Sequence, residues 1–344
     1  MNLATHGIAH LEEPIHFYNG EATLRFDREN WRWYLVRKDG ALEPVSGVTG
    51  VCGIIDKSMY LMPWACKMMY LKILRTMPAA KGCVKPIAWA EFDALLQQAK
   101  SAHKERLEDA GDVGSAAHAW IEATIRNAIT FNEGVVDKMN EMAPTDERSV
   151  QCGLAAFDWM QKHNVRWLCT EREVYSRKYG YAGTTDGLAL VDSCSNPTCC
   201  AHLFLDELSL IDWKSSNALR LEYLFQTAAY QNAIVEETGE TIDARWILRL
   251  DKDTGKFDPW YETDFDQDFE GYLACLSLQR IHRAVEKRMS GQKKLKTFKK
   301  REAVKEAKKR IHFEKRVPKK TTCEFDFGKE GDAQDVHSKQ AMEK

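Results

Sequence analysis

The chain contains side chains that could bind a metal ion or stabilise developing charge, grouped in four short segments. In chain order they are His118 and Glu122, Asp186, the run Asp212-Trp213-Lys214, and finally Gln226 and Tyr230. Carboxylates and imidazoles bind divalent cations, and a nearby ammonium stabilises negative charge that develops during a reaction. The residue types therefore suit hydrolysis of a phosphodiester.

The third segment is the most informative because an apolar strand pattern, starting at Leu208, ends there in Asp-x-Lys. Residues two apart on a strand point to the same face. Asp212 and Lys214 therefore share a face, and Trp213 is predicted to point into the core. The carboxylate could hold a divalent metal while the ammonium orients an attacking water; a surface ion pair at a strand end is the alternative.

The other segments are weaker when taken singly. His118 and Glu122 lie four residues apart and so share one helix face, and the same holds for Gln226 and Tyr230. A histidine on an amphipathic helix is more often structural than a metal ligand. Asp186 leads into an apolar strand, where a carboxylate is costly unless it is paired or metal-bound; a turn aspartate is the alternative.

The hydropathy period predicts the elements that must position these residues. Short strands and turns are expected over 20–48, and longer strands over 167–176, 183–191, 208–213 and 244–250. Helices are expected over 58–77, 89–108, 149–163, 221–237 and 265–289, with a further helix starting near Ser115. Gly111 and Gly114 are predicted to end the second helix, and Ser115 is the candidate cap of the next.

Taken together, the four segments resemble the RecB-like branch of the PD-(D/E)XK nuclease superfamily. The matching patterns are Gly114-x3-His118-x3-Glu122, Gly183-x2-Asp186, Asp212-x-Lys214 and Gln226-x3-Tyr230. The segment 45–49, followed by Asp56-Lys-Ser and Trp64-Ala, is also similar to the lead-in of phage exonucleases of this branch. The resemblance covers roughly residues 44–250.

The resemblance implies an α/β fold with a restriction-endonuclease-like core, in which a mixed β-sheet is flanked by helices. An N-terminal β-hairpin and helical region and a basic C-terminal tail would be added to that core. It also implies Mg²⁺ or Mn²⁺ held by a set of four ligands: His118, Asp186, Asp212 and the backbone carbonyl of Trp213.

The resemblance assigns roles to further residues. Lys214 would serve the attacking water, and Gln226 and Tyr230 would line the DNA path. Glu122 matches the pattern without a clear role. Glu171 and Glu173, on the strand before Asp186, are candidate outer-shell partners of the metal.

The activity implied is a metal-dependent deoxyribonuclease, an exonuclease rather than an endonuclease, in phage-type DNA recombination or repair. DNA is the expected partner, and a single-strand annealing or single-strand-binding protein and a homo-oligomer remain open. The alternative is a DNA-binding module that keeps a nuclease fold without catalysis, since fold alone does not guarantee chemistry.

Charge is distributed unevenly along the chain. The 344 residues carry a formal net charge of −2, with 44% hydrophobic and 29% charged residues, an ordinary globular balance. Between residues 287 and 320, however, sixteen Lys and Arg face three Glu. We therefore predict a β-rich lead-in over 1–57, the nuclease domain over 58–286 and a basic region over 287–344. That region is expected to be a flexible, DNA-contacting tail or a charged helix.

Ten cysteines are scattered through the chain, and no pattern of a secretion signal or membrane segment is found. These features predict a cytoplasmic protein with reduced thiols and no membrane partner. Some relatives hold an iron–sulfur cluster through three late cysteines. Only Cys275 and Cys323 follow Tyr230, so no cluster is expected.

Two smaller patterns have competing interpretations. Cys194, Cys199, Cys200 and His202 lie close together, but adjacent Cys199 and Cys200 fit poorly with the spaced pairs that zinc usually takes. A loop with incidental thiols is favoured over a zinc-dependent hydrolase or interaction module. Alternating Trp31 and Trp33 are read as one packed strand face in preference to a base-stacking surface.

Overall fold

The computed structural model describes residues 11–77, 79–80, 83–84, 87–131, 143–194, 199 and 203–314. Its helices are α1 Val48–Cys52, α2 Ser58–Thr76, α3 Trp89–Ala99, α4 Ala102–Phe131, α5 Glu147–Lys162, α6 Leu221–Thr238 and α7 Asp266–Glu314. Its strands are β1 Ile15–Phe17, β2 Ala22–Asp27, β3 Arg32–Val36, β4 Leu42–Gly47, β5 Ala79–Ala80, β6 Cys83–Val84, β7 Arg166–Ser176, β8 Tyr181–Val191, β9 Glu207–Lys214, β10 Ala244–Leu250 and β11 Phe257–Glu262. No helix among the described residues has both the length and the hydropathy needed to cross a membrane.

The fold is α/β and is organised around one open, mixed sheet of nine strands. The strand order is β1-β2-β3-β4-β8-β9-β10-β11, and β7 pairs with β8 beside this path. β4 runs parallel to β8, and β9 runs parallel to β10, while the remaining pairs are antiparallel. Helix α6 makes the crossover between β9 and β10, as parallel neighbours require.

Helices pack on both faces of the sheet because its central strands are apolar on both sides. On one face Ile121 of α4 and Trp159 of α5 pack with Trp213 and Trp246. On the other, residues of α1, α6 and α7 pack around Leu188 and Leu210. The alternation along β9 sends Trp213 into the first core, as predicted from the sequence, and turns Asp212 and Lys214 to the opposite side.

The central strand β8 has an interrupted edge. Along one edge it pairs with β7 from Ser176↔Tyr181 to Arg166↔Leu190. Along the other it pairs with β4 only at residues 181–182 and with β9 only at residues 187–191. Among the described strands none pairs with residues 183–186 on that second edge. We call this interruption the β8 notch.

One predicted helix boundary is wrong. Helix α3 ends at Ala99, and α4 then continues through Gly111 and Gly114, so Ser115 lies inside a helix and is not its cap. A glycine inside a helix costs only about 1 kcal/mol relative to alanine, which the packing of a thirty-residue helix can offset. Gly114 also lies against the strand end, since a Cβ there would be 2.6 Å from Ser215 Oγ.

The shared face predicted for Trp31 and Trp33 is also wrong. Trp33 is buried, whereas Trp31 is 78% exposed and has a positive φ of 51°. Strand β3 begins only at Arg32, so Trp31 belongs to the turn before it and does not share the strand's alternation.

The described residues divide into two compact units, the first ending at His282 and the second beginning at Arg283. The predicted lead-in over 1–57 lies in the first unit with the predicted nuclease domain, since β4 pairs with β8. Residues 287–314 are helical. Of the two structures predicted for the basic region, this part therefore adopts the charged helix. The rest of that region, including Cys323, lies outside the described residues, as do Cys200 and His202.

Candidate active site

The two predicted aspartates meet beside the β8 notch. The β8–β9 ladder ends at the pair Gly187↔Ile211, and Asp186 and Asp212 are the next residues on their strands. Beyond this pair the carboxylate of Asp186 takes the place of a ladder acceptor, because Oδ2 accepts a hydrogen bond of 2.6 Å from the backbone N–H of Trp213. The sheet therefore opens where these carboxylates lie.

Three side chains beside the notch can act together as metal ligands. One ligand atom from each of His118, Glu171 and Asp186 lies within 4.8 Å of the others. His118 Nδ1 is 3.8 Å from Asp186 Oδ1, and both side chains are partly exposed. Imidazole comes from α4 and the carboxylates from β7 and β8. Asp212, a predicted ligand, is not in this group of described residues.

Glu171 has an unusual backbone conformation and faces Asp186 across the β7–β8 pair. The registers Thr170↔Gly187 and Arg172↔Thr185 place Glu171 opposite Asp186. Its φ of +48° is left-handed, a conformation that costs a non-glycine residue about 1–3 kcal/mol and is concentrated at functional sites. Burial raises the pKa of the Glu171 carboxyl to about 8, and the nearby charges of Asp186 and Glu122 add to the shift.

This raised pKa predicts a pH-dependent effect of Glu171→Gln in the metal-free protein. Folding favours the protonated carboxyl, so stability is lost as pH rises from the ordinary pKa of 4.5 through about 8. We expect the variant to melt like the parent at pH 4.5 and about 2–4 °C higher at pH 9, equivalent to roughly 1 kcal/mol. Melting in EDTA measures this, with exposed Glu173→Gln as control. An equal or lower melting temperature at pH 9 would contradict it.

Asp212 and Lys214 form a buried ion pair on one face of β9, as predicted from their spacing. Asp212 is 1% exposed, and its Oδ2 contacts Lys214 Nζ. Burial raises the pKa of the Asp212 carboxyl, which the lysine opposes and Asp186 reinforces. Burial alone lowers the pKa of Lys214, but the charges of Asp212 and Asp186 outweigh it and raise that pKa. The ammonium also lies 5.0 Å from the centre of the Tyr223 ring.

Gln226 and Tyr230 lie on one face of α6 beside the same site. Gln226 Nε2 donates a hydrogen bond of 2.8 Å to the hydroxyl of Tyr230, which also bonds the Thr49 side chain. Burial raises the pKa of Tyr230, and the charge of Asp212 adds to the shift. The tyrosine hydroxyl is therefore a neutral group close to the carboxylates. Thr49 belongs to α1, within the segment 45–49 of the predicted lead-in.

The glycine of the second motif makes room for this tyrosine. A Cβ on Gly183 would lie 2.7 Å from Tyr230 Cε1 and 3.2 Å from Val48 Cγ2. Both neighbours are buried, so neither can move away cheaply.

We therefore expect Gly183→Ala to destabilise the protein by about 1–3 kcal/mol, the usual cost of overpacking. Urea unfolding measures the change. Gly111→Ala is the matched control, because a Cβ there meets nothing within 4 Å and alanine is favoured inside a helix by about 0.5–1 kcal/mol. Equal destabilisation by both substitutions would contradict the packing argument.

Sequence reasoning left some members of the site out or gave them minor roles. Glu122 pairs with Arg126 and influences Glu171 by its charge, and Glu173 is exposed. Glu171 groups with the predicted ligands, although the sequence suggested an outer-shell role. Tyr223 and Thr49 were not predicted. Tyr223 lies nine residues after Lys214, and this spacing matches no motif that would predict its position. Thr49 lies in the segment 45–49, which the sequence pattern does single out.

The arrangement combines an imidazole, three carboxylates and a buried ammonium at one interruption of a sheet. Such a group can hold a divalent cation and stabilise negative charge. No protein-family model matches this chain, and a search of curated proteins found no match. Functional assignment therefore depends on the chemistry of the site.

Proposed function

We propose that this protein is a metal-dependent deoxyribonuclease that hydrolyses phosphodiester bonds beside the β8 notch. The observation that carries the proposal is the convergence of four distant segments: His118 from α4, Asp186 from β8, Asp212 with Lys214 from β9, and the Gln226–Tyr230 pair from α6. A purely structural Asp212–Lys214 ion pair would require only one of these segments.

The donor set fits a hard divalent cation. Carboxylate and carbonyl oxygens suit Mg²⁺ and Mn²⁺. Burial raises the pKa values of Glu171 and Asp212, and the charge of Asp186 adds to both shifts, so a bound cation would relieve the cost of ionising these carboxyls. His118, Glu171 and Asp186 would hold the ion, and Asp212, the residue beside Asp186 on the neighbouring strand, would be a further ligand. The Trp213 carbonyl is a further candidate, because a strand residue's C=O faces the same neighbour as its N–H.

A bound Mg²⁺ would supply Lewis-acid polarisation of the phosphoryl oxygens. The protein's own groups do the rest. Lys214, held as an ammonium by Asp212, would orient the attacking water and stabilise charge on the phosphate oxygens. Gln226 would contact the DNA backbone as an uncharged hydrogen-bonding group, and the buried Tyr230, whose hydroxyl accepts a hydrogen bond from Gln226, would hold it in position. Basic residues of α7 beyond residue 286 would add sequence-independent affinity for phosphates.

The deciding experiment is digestion of end-labelled DNA, single- and double-stranded, linear and circular, with Mg²⁺, Mn²⁺ or EDTA. We expect metal-dependent loss of linear DNA and, for an exonuclease, survival of circles. The double variant Asp212→Asn with Lys214→Met is the inactive control. Binding of DNA without any degradation in either metal would overturn the proposal and favour a catalytically inactive binding module.

A further inference from the structure

A second group of metal-binding side chains lies away from the candidate active site. His163 follows the last turn of α5, and Cys194 and Cys199 lie on the connection between β8 and β9. One ligand atom from each lies within 4.8 Å of the others. His163 and Cys199 are buried. We propose that these three residues bind a zinc ion that stabilises the connection between the two strands that carry Asp186 and Asp212.

The distance between two of the proposed ligand atoms is close to the value in a zinc site. A tetrahedral zinc ion, with bonds of about 2.3 Å to sulfur and 2.05 Å to nitrogen, separates sulfur from nitrogen by about 3.6 Å and two sulfurs by about 3.8 Å. His163 Nε2 is 3.2 Å from Cys199 Sγ. Small side-chain rotations that move these two atoms apart by a few tenths of an ångström would therefore give the zinc-site distance. Somewhat larger movements could bring in Cys194.

The hydrogen bonds of His163 prepare it to act as a ligand. Its Nδ1 lies 2.9 Å from the backbone oxygen of Asp192, which can only accept a hydrogen bond. Nδ1 therefore carries the proton, and the lone pair of Nε2 points toward Cys199. Metal-ligating histidines commonly have this arrangement, with the second nitrogen donating to a carbonyl or carboxylate.

The ends of the connection are held so that the two cysteines stay near His163. Ser193 N–H donates to the oxygen of Phe204, and Phe204 N–H donates to Ser193 Oγ. Asp192 accepts hydrogen bonds from the Asn164 side chain and the Asp206 N–H. Because Asn164 adjoins His163, the same contacts tie this connection to the end of α5.

Residues 194–202 by themselves do not offer the spaced pairs of ligands that zinc usually takes. Adjacent Cys199 and Cys200 cannot serve as one spaced pair, but His163 removes that requirement, because it supplies a nitrogen ligand from another part of the chain. No spacing rule could identify it, since it precedes Cys194 by thirty-one positions. Structural zinc sites are closed by four protein ligands, so another residue of the chain would complete this one.

The site would stabilise the packing beneath β9. His163 packs on Trp159 and Trp246, with ring centroids 5.2 Å and 5.0 Å away. Trp159 in turn contacts Trp213 at 5.7 Å. Since Trp213 separates Asp212 from Lys214 in sequence, loosening of the aromatic group would alter the position of both. We therefore assign this zinc a structural role.

Metal content of the full-length protein, purified in reducing buffer without added chelator, tests the proposal. We expect about one zinc per chain by inductively coupled plasma mass spectrometry, falling below about 0.2 in Cys194→Ser, Cys199→Ser and His163→Asn. Buried Cys152→Ala, in the same core, is the matched control and should retain the metal.

Cobalt substitution distinguishes this site from the candidate active site and does not depend on activity. Co²⁺ added to zinc-free protein should give thiolate-to-cobalt charge-transfer absorption and the visible bands of tetrahedral coordination. These bands should survive Asp186→Ala, which lacks a ligand of the other site, and disappear in Cys199→Ser. Absence of zinc together with absence of thiolate bands in the parent protein would overturn the proposal, whether or not the protein cleaves DNA.

Discussion

Replacing Lys214 with methionine is expected to lower the rate of Mg²⁺-dependent DNA cleavage by about 10³-fold. Methionine keeps the length and apolar body of the side chain but removes the ammonium that contacts Asp212 Oδ2. The proposed mechanism needs this charge in the transition state more than in the bound substrate. Single-turnover cleavage should therefore slow strongly, while the affinity for DNA in Ca²⁺ changes little.

Stability measurements separate this chemical effect from misfolding. Lys214→Met alone leaves the buried Asp212 carboxylate without its partner, which costs about 3–5 kcal/mol at neutral pH. Adding Asp212→Asn removes the unpaired charge, so the double variant should regain most of that stability while remaining inactive. Activity in the double variant within tenfold of the parent would exclude Lys214 and Asp212 from the chemistry.

The second large effect is expected at Asp186, where alanine and asparagine should behave differently. Both substitutions should weaken Mn²⁺ binding at least 10²-fold and reduce cleavage about 10³-fold, since a carboxylate ligand is lost. Only alanine removes the acceptor for the Trp213 N–H. An orphaned buried N–H costs about 1–3 kcal/mol, so Asp186→Ala should unfold at lower urea concentration than Asp186→Asn.

Isothermal titration with Mn²⁺, urea unfolding and cleavage assays on the same preparations measure these three effects. Asp158→Asn is the control, because Asp158 is an exposed acid on α5 that pairs only with Lys162 among the contacts described. Undiminished Mn²⁺ affinity in both Asp186 variants would remove Asp186 from the ligand set. Equal unfolding midpoints for alanine and asparagine would show that the Trp213 hydrogen bond contributes little to stability.

Much of the site's framework follows from local pattern. Period-two hydropathy predicted β7, β8, β9 and β10, and the strand end at Asp212-x-Lys214 predicted their shared face and the burial of Trp213. These predictions depend only on alternation, which a folded sheet must obey. The α/β class with a mixed sheet flanked by helices is confirmed, whereas the nuclease-like core remains a proposal.

What the sequence could not predict depends on contacts between distant segments. Glu171 groups with His118 and Asp186 because of the β7–β8 register and a left-handed backbone, and neither has a composition signal. His163 meets the cysteines only through the tertiary fold. In α4 the local pattern itself was misleading. Gly111 and Gly114 predicted a helix end, but tertiary packing offsets their local cost and the helix continues through both.

The β8 notch has a consequence for the dynamics of a single strand. Residues 187–190 lie in ladders on both edges of β8, while the amides of residues 183–186 that point away from β7 have no partner strand in the described fold. Hydrogen–deuterium exchange should therefore switch from slow to fast partway along one continuous strand. Such a strand keeps its doubly paired stretch protected, while the amides of residues 183–186 that point away from β7 can exchange without breaking a ladder.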